Sequence, residues 1–115
     1  MPFRDADNSL RDIVDAIDMI EAFSAGMNFE AFRGDPKTVA AVERKLLVIS
    51  EAAIRLAGDA ETRCPGPSWR NIRGLGNWLR HQYDRIDLAL IWKTVKDDLP
   101  PLRAAVLSAL NPPAG

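Results

Sequence analysis

The sequence predicts an all-α protein, an antiparallel bundle of four to five helices in a single domain that spans residues 1–115. Apolar residues recur at spacings of three and four along most of the chain, and no segment shows the strict alternation of a half-buried β-strand. The chain is long enough for one hydrophobic core and too short for two domains. Hydrophobic residues make up 47% of it and charged residues 27%, which is typical of a globular protein.

Two helices are predicted in the first half of the chain. The first carries apolar residues on one side: Leu10, Ile13, Val14, Ile17, Ile20 and Phe23. Gly26 is expected to end it as a C-cap residue, and Asp35 followed by Pro36 predicts the N-terminus of the next helix. The second helix has apolar positions spaced like a coiled-coil seam: Val39, Val42, Leu46, Ile49, Ala53 and Leu56. Such a seam requires a partner helix, either in the bundle core or in a dimer interface.

The second half begins with residues 58–67, which are predicted to form the main loop. Ser68 is expected to cap a third helix, which should break near residues 83–86. Asp87 predicts the N-cap of a fourth helix, whose apolar side would consist of Leu88, Ile91, Trp92, Val95 and Leu99. Pro100 and Pro101 are expected to end that helix and to start a last one, because proline is tolerated in a first turn.

Composition excludes several classes of function. The formal net charge of −1 argues against nucleic-acid binding through overall basicity, although a local basic patch remains possible. No apolar run approaches the ~20 residues that cross a bilayer, and the first ten residues lack the apolar region of a signal peptide. Cys64 has no second cysteine with which to form an internal disulfide, so a cytoplasmic location is expected. One histidine and one cysteine do not form a zinc site, and no cofactor is expected.

The segment NIRGLGNWLRHQYDRID, residues 71–87, contains the only histidine and the only tyrosine of the chain, His81 and Tyr83. On a helix, Arg73, Asn77 and His81 form a polar stripe, and Arg80 points ~100° away from His81. Histidine ordinarily titrates near pH ~6.5, so it can take the proton of a ribose 2′-hydroxyl or protonate a leaving oxygen. An arginine can bind the phosphate. This chemistry is RNA cleavage without a metal, yet the spacing alone is more typical of a solvated or interface histidine.

The segments KLLVISEAAIRL and PGPSWRNIRGLGNWLRHQYDRIDLALIWKTVKDDLPPLRAAV resemble the HepT-like ribonuclease family of the HEPN superfamily over nearly the whole chain. The resemblance implies a HEPN-like helical homodimer that acts as the endoribonuclease toxin of a type VII-like toxin–antitoxin system. It also implies a cognate MntA-type nucleotidyltransferase antitoxin, which silences the nuclease by adenylylating a tyrosine. In this family's pattern His81 is the catalytic histidine, Tyr83 the modified tyrosine and Asn77 the supporting polar residue.

The sequence departs from the family pattern at one position. The arginine that the pattern places five residues before the histidine is Gly76 here, and Gly74 and Leu75 exclude the other permitted spacings. Arg73 or Arg80 is therefore expected to replace it as a catalytic residue, with a slight preference for Arg73. The alternatives are a catalytically weak binding partner of a nucleotidyltransferase and a purely structural helical dimer.

The two glycines and the tryptophans of the chain also raise structural expectations. Gly74 and Gly76 usually signal close approach of another backbone, for which the facing helix of a second subunit is the simplest candidate. The tryptophans, which are Trp69, Trp78 and Trp92, could stack on nucleobases. Their helical spacing among leucine and isoleucine is more typical of a core.

Overall fold

The structure, a computed structural model, describes residues 2–81 and 87–112, with side chains from residue 5 onward. These residues form helices and no strand, which confirms the predicted all-α class. The α-helices are α1 (Pro2–Phe23), α2 (Phe29–Arg33), α3 (Pro36–Leu56), α4 (Gly58–Arg63), α5 (Trp69–His81), α6 (Leu88–Lys93) and α7 (Leu99–Leu110), and Thr94–Asp98 form a π-helical turn between α6 and α7. None of these helices is long and apolar enough to span a membrane.

Ion pairs between α1 and the segment formed by α3 and α4 establish that α1 runs antiparallel to it. Asp12 of α1 pairs with Arg55 of α3 at 3.0 Å, and Asp7 pairs with Arg63 of α4 at 2.6 Å. Residue numbers fall along α1 as they rise along its partner. α7 packs on α1 as well, and Arg103 there donates a 2.6 Å hydrogen bond to Asp18.

The core of the bundle lies around α3. The predicted apolar faces of the first two long helices are confirmed by burial of the following residues: Leu10, Ile13, Val14, Ile17, Ile20, Val39, Val42, Leu46, Ile49, Ala53 and Leu56. Residues from α5, the π-helical turn and α7 complete this core. The seam of α3 is therefore occupied by helices of the same chain, which resolves the choice between a bundle core and a dimer interface in favour of the core.

The predicted helix starts at two aspartates are confirmed. Asp35 accepts a hydrogen bond from the Thr38 amide at 3.1 Å, and Asp87 accepts one from the Ala89 amide at 2.9 Å. Gly26, in the turn after α1, has the positive φ of 75° that favours glycine. The predicted break near residues 83–86 lies outside the residues that the structure describes.

One predicted loop is partly helical, and one predicted helix start is confirmed. The loop predicted over residues 58–67 contains α4, which follows α3 after Ala57, whose positive φ of 48° interrupts the helix. Pro100 and Pro101 lie in the first turn of α7, as predicted, where the missing amide donors have no partner within that helix, but they do not end the preceding helical segment. The π-helical turn before them keeps the chain helical from α6 into α7.

Trp69 and Trp92 serve the core, as their helical spacing indicated. Trp69 is 2% exposed, and its indole nitrogen donates a 2.8 Å hydrogen bond to the Cys64 carbonyl. Trp92 packs against Phe32 with ring centroids 5.0 Å apart. Cys64 is itself buried, and that burial raises the pKa of its thiol, which opposes a role as nucleophile. The burial of Trp69 also excludes base stacking by its indole ring.

Candidate active site on the exposed face of α5

Helix α5 carries every described residue of the predicted site, and its position depends on α3. Among the described helices, α5 packs closely only against α3. A groove of about 520 Å³ separates another side of α5 from α7; Ile72 and Leu75 line it on one wall, Leu99 and Leu102 on the other. The contacts between α3 and α5 therefore determine which side chains of α5 face solvent.

Ser50 of α3 inserts its hydroxyl into the backbone of α5. Its Oγ donates a 2.9 Å hydrogen bond to the Arg73 carbonyl and accepts one of 3.0 Å from the Gly76 amide. Ser50 is 1% exposed, so both bonds are shielded from water. Without them the buried Ser50 hydroxyl would have no partner, at a cost of about 1–3 kcal/mol. This hydroxyl therefore fixes the rotation and height of α5 on α3.

Gly76 is a position at which α5 closely approaches α3. A Cβ atom there would lie 2.9 Å from the Ser50 Oγ, 3.3 Å from the Ser50 Cβ and 3.5 Å from a methyl carbon of Leu47. The expectation that a second subunit lies against this glycine is therefore wrong, because the close neighbour is α3 of the same chain. A side chain as large as arginine has no room at this position while Ser50 is in place.

Gly74 has a different environment, with no atom within 4 Å of a Cβ built there. It is exposed, and no described contact requires a glycine. The two glycines of the motif therefore differ: Gly76 is required by the close contact with α3, whereas no contact within the described chain requires Gly74.

Arg73 is bound to the C-terminal end of α3. Its guanidinium donates to the carbonyl of Ala53 at 3.3 Å and to that of Ala57 at 2.6 Å, and it forms an ion pair with Glu61 of α4. The pair holds the pKa of the Glu61 carboxyl below, and that of Arg73 above, its ordinary value. Arg73 thus satisfies carbonyl groups at a helix end, where cations are favourable. The structure therefore engages this arginine, the one slightly preferred as a catalytic residue, in contacts at the end of α3.

The side of α5 opposite α3 carries an exposed polar stripe. Asn77 and His81 are both exposed and lie ~40° apart around the helix, as expected for residues four apart. Arg70 and Gly74 continue the stripe towards the N-terminus of α5, and both are exposed. Arg80 is exposed beside the stripe, ~100° from His81. Tyr83 lies outside the residues that the structure describes.

The C-terminal end of α5 thus exposes an imidazole and a guanidinium on adjacent residues, ~100° apart around the helix. An anion placed beyond the end of α5, between the directions of Arg80 and His81, can receive hydrogen bonds from Arg80 while His81 exchanges a proton with it. The described residues contain no cluster of three or more His, Cys, Asp or Glu that could bind a metal. An exposed arginine and histidine are together suited to phosphate binding and acid–base chemistry.

Sequence reasoning overlooked Ser50 and Arg70. Arg70 was detectable, because eleven residues correspond to three turns and place it within ~20° of His81 on a helix. For Ser50 the sequence carries no signal, since the partner of a buried hydroxyl depends on how two helices pack.

Comparison with known proteins identifies the relatives of this chain. The family described as "Ribonuclease HepT-like" matches residues 13–109. A "Probable ribonuclease HepT" of Thermococcus cleftensis is 39% identical over 82% of this chain and 86% of its own length. A Methanocaldococcus jannaschii protein is 32% identical over 92% of this chain and 97% of its own, and one from Caldanaerobacter subterraneus is 31% identical over 75% and 77%. Both are named "Putative RNase". Among solved structures there is no match.

The two glycines predict opposite effects of the same substitution. We expect Gly74→Ala to raise the free energy of unfolding by up to about 1 kcal/mol, because alanine favours the helix and the space is open. Gly76→Ala should lower it by about 1–3 kcal/mol, because the added methyl group overlaps Ser50. Urea denaturation of both variants measures the difference. Replacing Ser50 by alanine removes the nearest atom, so Gly76→Ala should cost less in that background. Equal costs in both backgrounds would show that Ser50 does not restrict position 76.

We expect the Glu61–Arg73 pair to contribute to the free energy of unfolding at neutral pH but not in acid. A carboxyl whose pKa is lowered by folding stabilises the folded state above its ordinary value, here 4.5, and loses this effect as the pH falls through the folded-state pKa. Glu61→Gln should therefore lower the free energy of unfolding at neutral pH and have little effect in strong acid. Urea denaturation across a pH series measures this. Glu30→Gln, at an exposed glutamate outside the described ion pairs, is the matched control; an equal pH dependence for both variants contradicts the prediction.

Proposed function

The chain belongs to the HepT-like ribonuclease family, and we propose that it is a metal-independent endoribonuclease that cleaves RNA at the exposed C-terminal end of α5. The observation that carries the proposal is the exposure of His81 on the face of α5 opposite α3, with the preceding residue, Arg80, exposed ~100° away around the helix. The ribonuclease names of relatives that align over most of the chain support the same reaction class.

The proposed reaction is an internal transesterification of the RNA chain. The ribose 2′-oxygen forms a bond to the adjacent phosphorus, and the bond from phosphorus to the 5′-oxygen of the next nucleotide breaks. His81 either accepts the 2′-hydroxyl proton or gives a proton to the departing 5′-oxygen. The products are a 2′,3′-cyclic phosphate and a free 5′-hydroxyl. In a homodimer, the histidines of two subunits could divide the two proton transfers.

We assign phosphate binding to Arg80 in preference to Arg73. The charge on the phosphate oxygens grows during the reaction, and a guanidinium within reach stabilises it. Three described partners already occupy Arg73, and releasing it would uncover the carbonyls at the end of α3. Arg80 is exposed and forms no ion pair with a described residue. Asn77, one turn from His81, is the supporting residue that can orient the RNA backbone.

The biological setting that we propose is a type VII-like toxin–antitoxin pair in the cytoplasm. The toxin is a homodimer that brings two α5 sites to one cleft, and its antitoxin is an MntA-type nucleotidyltransferase. In the silencing reaction the Tyr83 oxygen attacks the α-phosphorus of ATP, pyrophosphate leaves, and the phenol proton goes to solvent or a base. The bulky, charged product lies two residues after His81 in sequence, so it would obstruct access of RNA to the site.

A second candidate function is a binding partner of a nucleotidyltransferase with little or no nuclease activity. The packing of Gly76 against Ser50 favours it, because the family's arginine position is closed in this chain. Such a protein would retain Tyr83 as a regulatory residue while lacking efficient cleavage.

An RNase assay on the antitoxin-free protein tests the nuclease. We expect the wild type to cleave single-stranded RNA in the presence of a chelator and to leave cyclic phosphate ends. His81→Ala should reduce kcat by at least ~100-fold, because it removes the proton-transfer group. Arg80→Ala should reduce it by ~100- to 1,000-fold, because it removes charge stabilisation. Arg33→Ala, at an exposed arginine of α2, should retain full activity.

Cleavage that survives His81→Ala contradicts the proposed site. Full activity of Arg80→Ala contradicts the assignment of the phosphate-binding residue alone. A folded, antitoxin-free wild type without RNase activity favours the binding-partner function. Thermal melting of every variant separates loss of chemistry from loss of fold.

Incubation with the cognate nucleotidyltransferase and ATP tests the regulation. We expect intact-mass spectrometry to detect added adenylyl groups on the wild type and none on Tyr83→Phe. The modified wild type should lose RNase activity, whereas Tyr83→Phe should stay active under the same treatment. An unmodified wild type, or modification without loss of cleavage, contradicts silencing by Tyr83.

A further inference from the structure

Positive charge is concentrated on α5, whereas the remaining residues taken together are acidic. The helix carries three arginines and no acidic residue, whereas the formal net charge of the chain is −1. The remaining residues therefore have a net charge of −4. α1 accounts for much of this, because it contains six acidic residues against two arginines.

The acidic and basic helices occupy different faces of α3. Arg55 of α3 pairs with α1, and Ser50 of α3 bonds to α5. Five residues correspond to ~140° around a helix, so α1 and α5 lie on well-separated sides. A polyanion is attracted to the α5 side and repelled from the α1 side, which orients its approach.

Arg70 is the basic residue that extends the exposed stripe of α5 away from His81. It is exposed, and it pairs with no carboxylate among the described residues. Four other described arginines, Arg55, Arg63, Arg73 and Arg103, each bind an acidic side chain. Arg70 lies within ~20° of His81 around the helix and ~16 Å from it along the axis. Its charge is therefore available to a ligand that also reaches His81.

Gly74 leaves the middle of this stripe without a side chain. No atom lies within 4 Å of a Cβ position there, and an alanine would favour the helix by about 1 kcal/mol. The fold does not require the glycine, so its effect is to keep the surface between Arg70 and His81 low. A backbone can approach α5 more closely here than at any position with a side chain.

We propose that the backbone of single-stranded RNA lies along this stripe and that Arg70 binds a phosphate about three helical turns from His81. The inference rests on the proposed nuclease function and defines how its substrate is held. A single strand is required because the 2′-oxygen must line up with the departing 5′-oxygen, an arrangement that a regular A-form duplex prevents. A second copy of α5 is a poorer occupant, because two such faces would oppose arginines with no acidic residue on either helix.

Salt-dependent RNA binding tests the role of Arg70. The measurements use His81→Ala protein, so that the RNA is not consumed, and a fluorescent single-stranded oligonucleotide. Arg70→Gln should weaken binding by about three- to fivefold and make the slope of log K against log salt shallower by about 0.7, the value for one lost contact. Arg11→Gln removes the same charge at an exposed position of α1. It should leave the RNA affinity and the salt dependence unchanged. Equal effects of the two substitutions would overturn the proposal.

A second variant tests the path of the RNA without a change of charge. Gly74→Leu adds a side chain in the middle of the exposed stripe, where the space is open. It should weaken RNA binding at least as much as Arg70→Gln does, and it should not lower thermal stability. Ala104→Leu, at an exposed small residue of α7, should bind RNA like the parent. If Gly74→Leu leaves RNA binding intact, the stripe is not the path. If it alters the oligomeric mass instead, the stripe is a contact between copies of the chain, and the proposal is also overturned.

These results separate the RNA path from the nuclease itself. In an active enzyme Arg70→Gln should raise KM and leave kcat unchanged, because the contact lies far from the scissile phosphate. Active wild type with unaffected Arg70→Gln and Gly74→Leu binding overturns the path and retains the nuclease. If the wild type is inactive but its RNA binding depends on Arg70, the proposed RNA path is retained and the proposed nuclease function is overturned.

Discussion

The hydroxyl of Ser50 is the contact on which the exposed face of α5 depends. It binds a carbonyl and an amide of the same helix, three residues apart, so it specifies both the rotation and the height of that helix. Other described helices contact α5 only weakly, and a groove lies between it and α7. The contact therefore helps to hold Asn77 and His81 on the side of α5 that faces solvent. A glycine at position 76 is the condition for the contact, because any Cβ there would meet the hydroxyl.

Arg73 reinforces the same junction from the side of the helix end. α3 ends where Ala57 adopts a positive φ, and this leaves terminal carbonyls that need donors. Arg73 supplies two of these donors and binds Glu61 in addition. The arginines of α5 therefore divide into one that holds the helix in place and two, Arg70 and Arg80, that remain exposed. Residue type and sequence spacing do not distinguish these groups, because the difference lies in what faces each side chain.

Local features of the sequence predicted the regular parts of the fold. The apolar spacing of Leu10, Ile13 and Ile17 and the caps at Asp35 and Asp87 depend on residues within a few positions of one another, and the structure confirms them. The misses have a different origin. α4 is a six-residue helix separated from α3 only by Ala57, and Thr94–Asp98 depart from the α-helical period.

At the candidate site the sequence predicted which residues share a helix and which of them face outward. The exposure of Asn77 and His81 follows from helical geometry alone. The roles of Arg73 and Gly76 did not follow, because both depend on atoms of α3 that are 20 or more residues away in sequence. Helical period determines a direction, whereas the occupant of that direction is a property of the folded chain.

The closed position 76 constrains where phosphate chemistry can occur in this chain. On a regular helix position 76 lies ~140° from His81, on the side that faces α3, so an arginine there would have to bend around the helix to meet a phosphate bound by His81. Ser50 occupies the space that its first side-chain atoms would need. Arg80 is adjacent to His81, it is exposed, and it lies ~100° from His81 around the helix, nearer than position 76. A substitution of the motif arginine by Arg80 is therefore geometrically compatible with the Ser50 contact, whereas restoration of arginine at position 76 requires that contact to be given up.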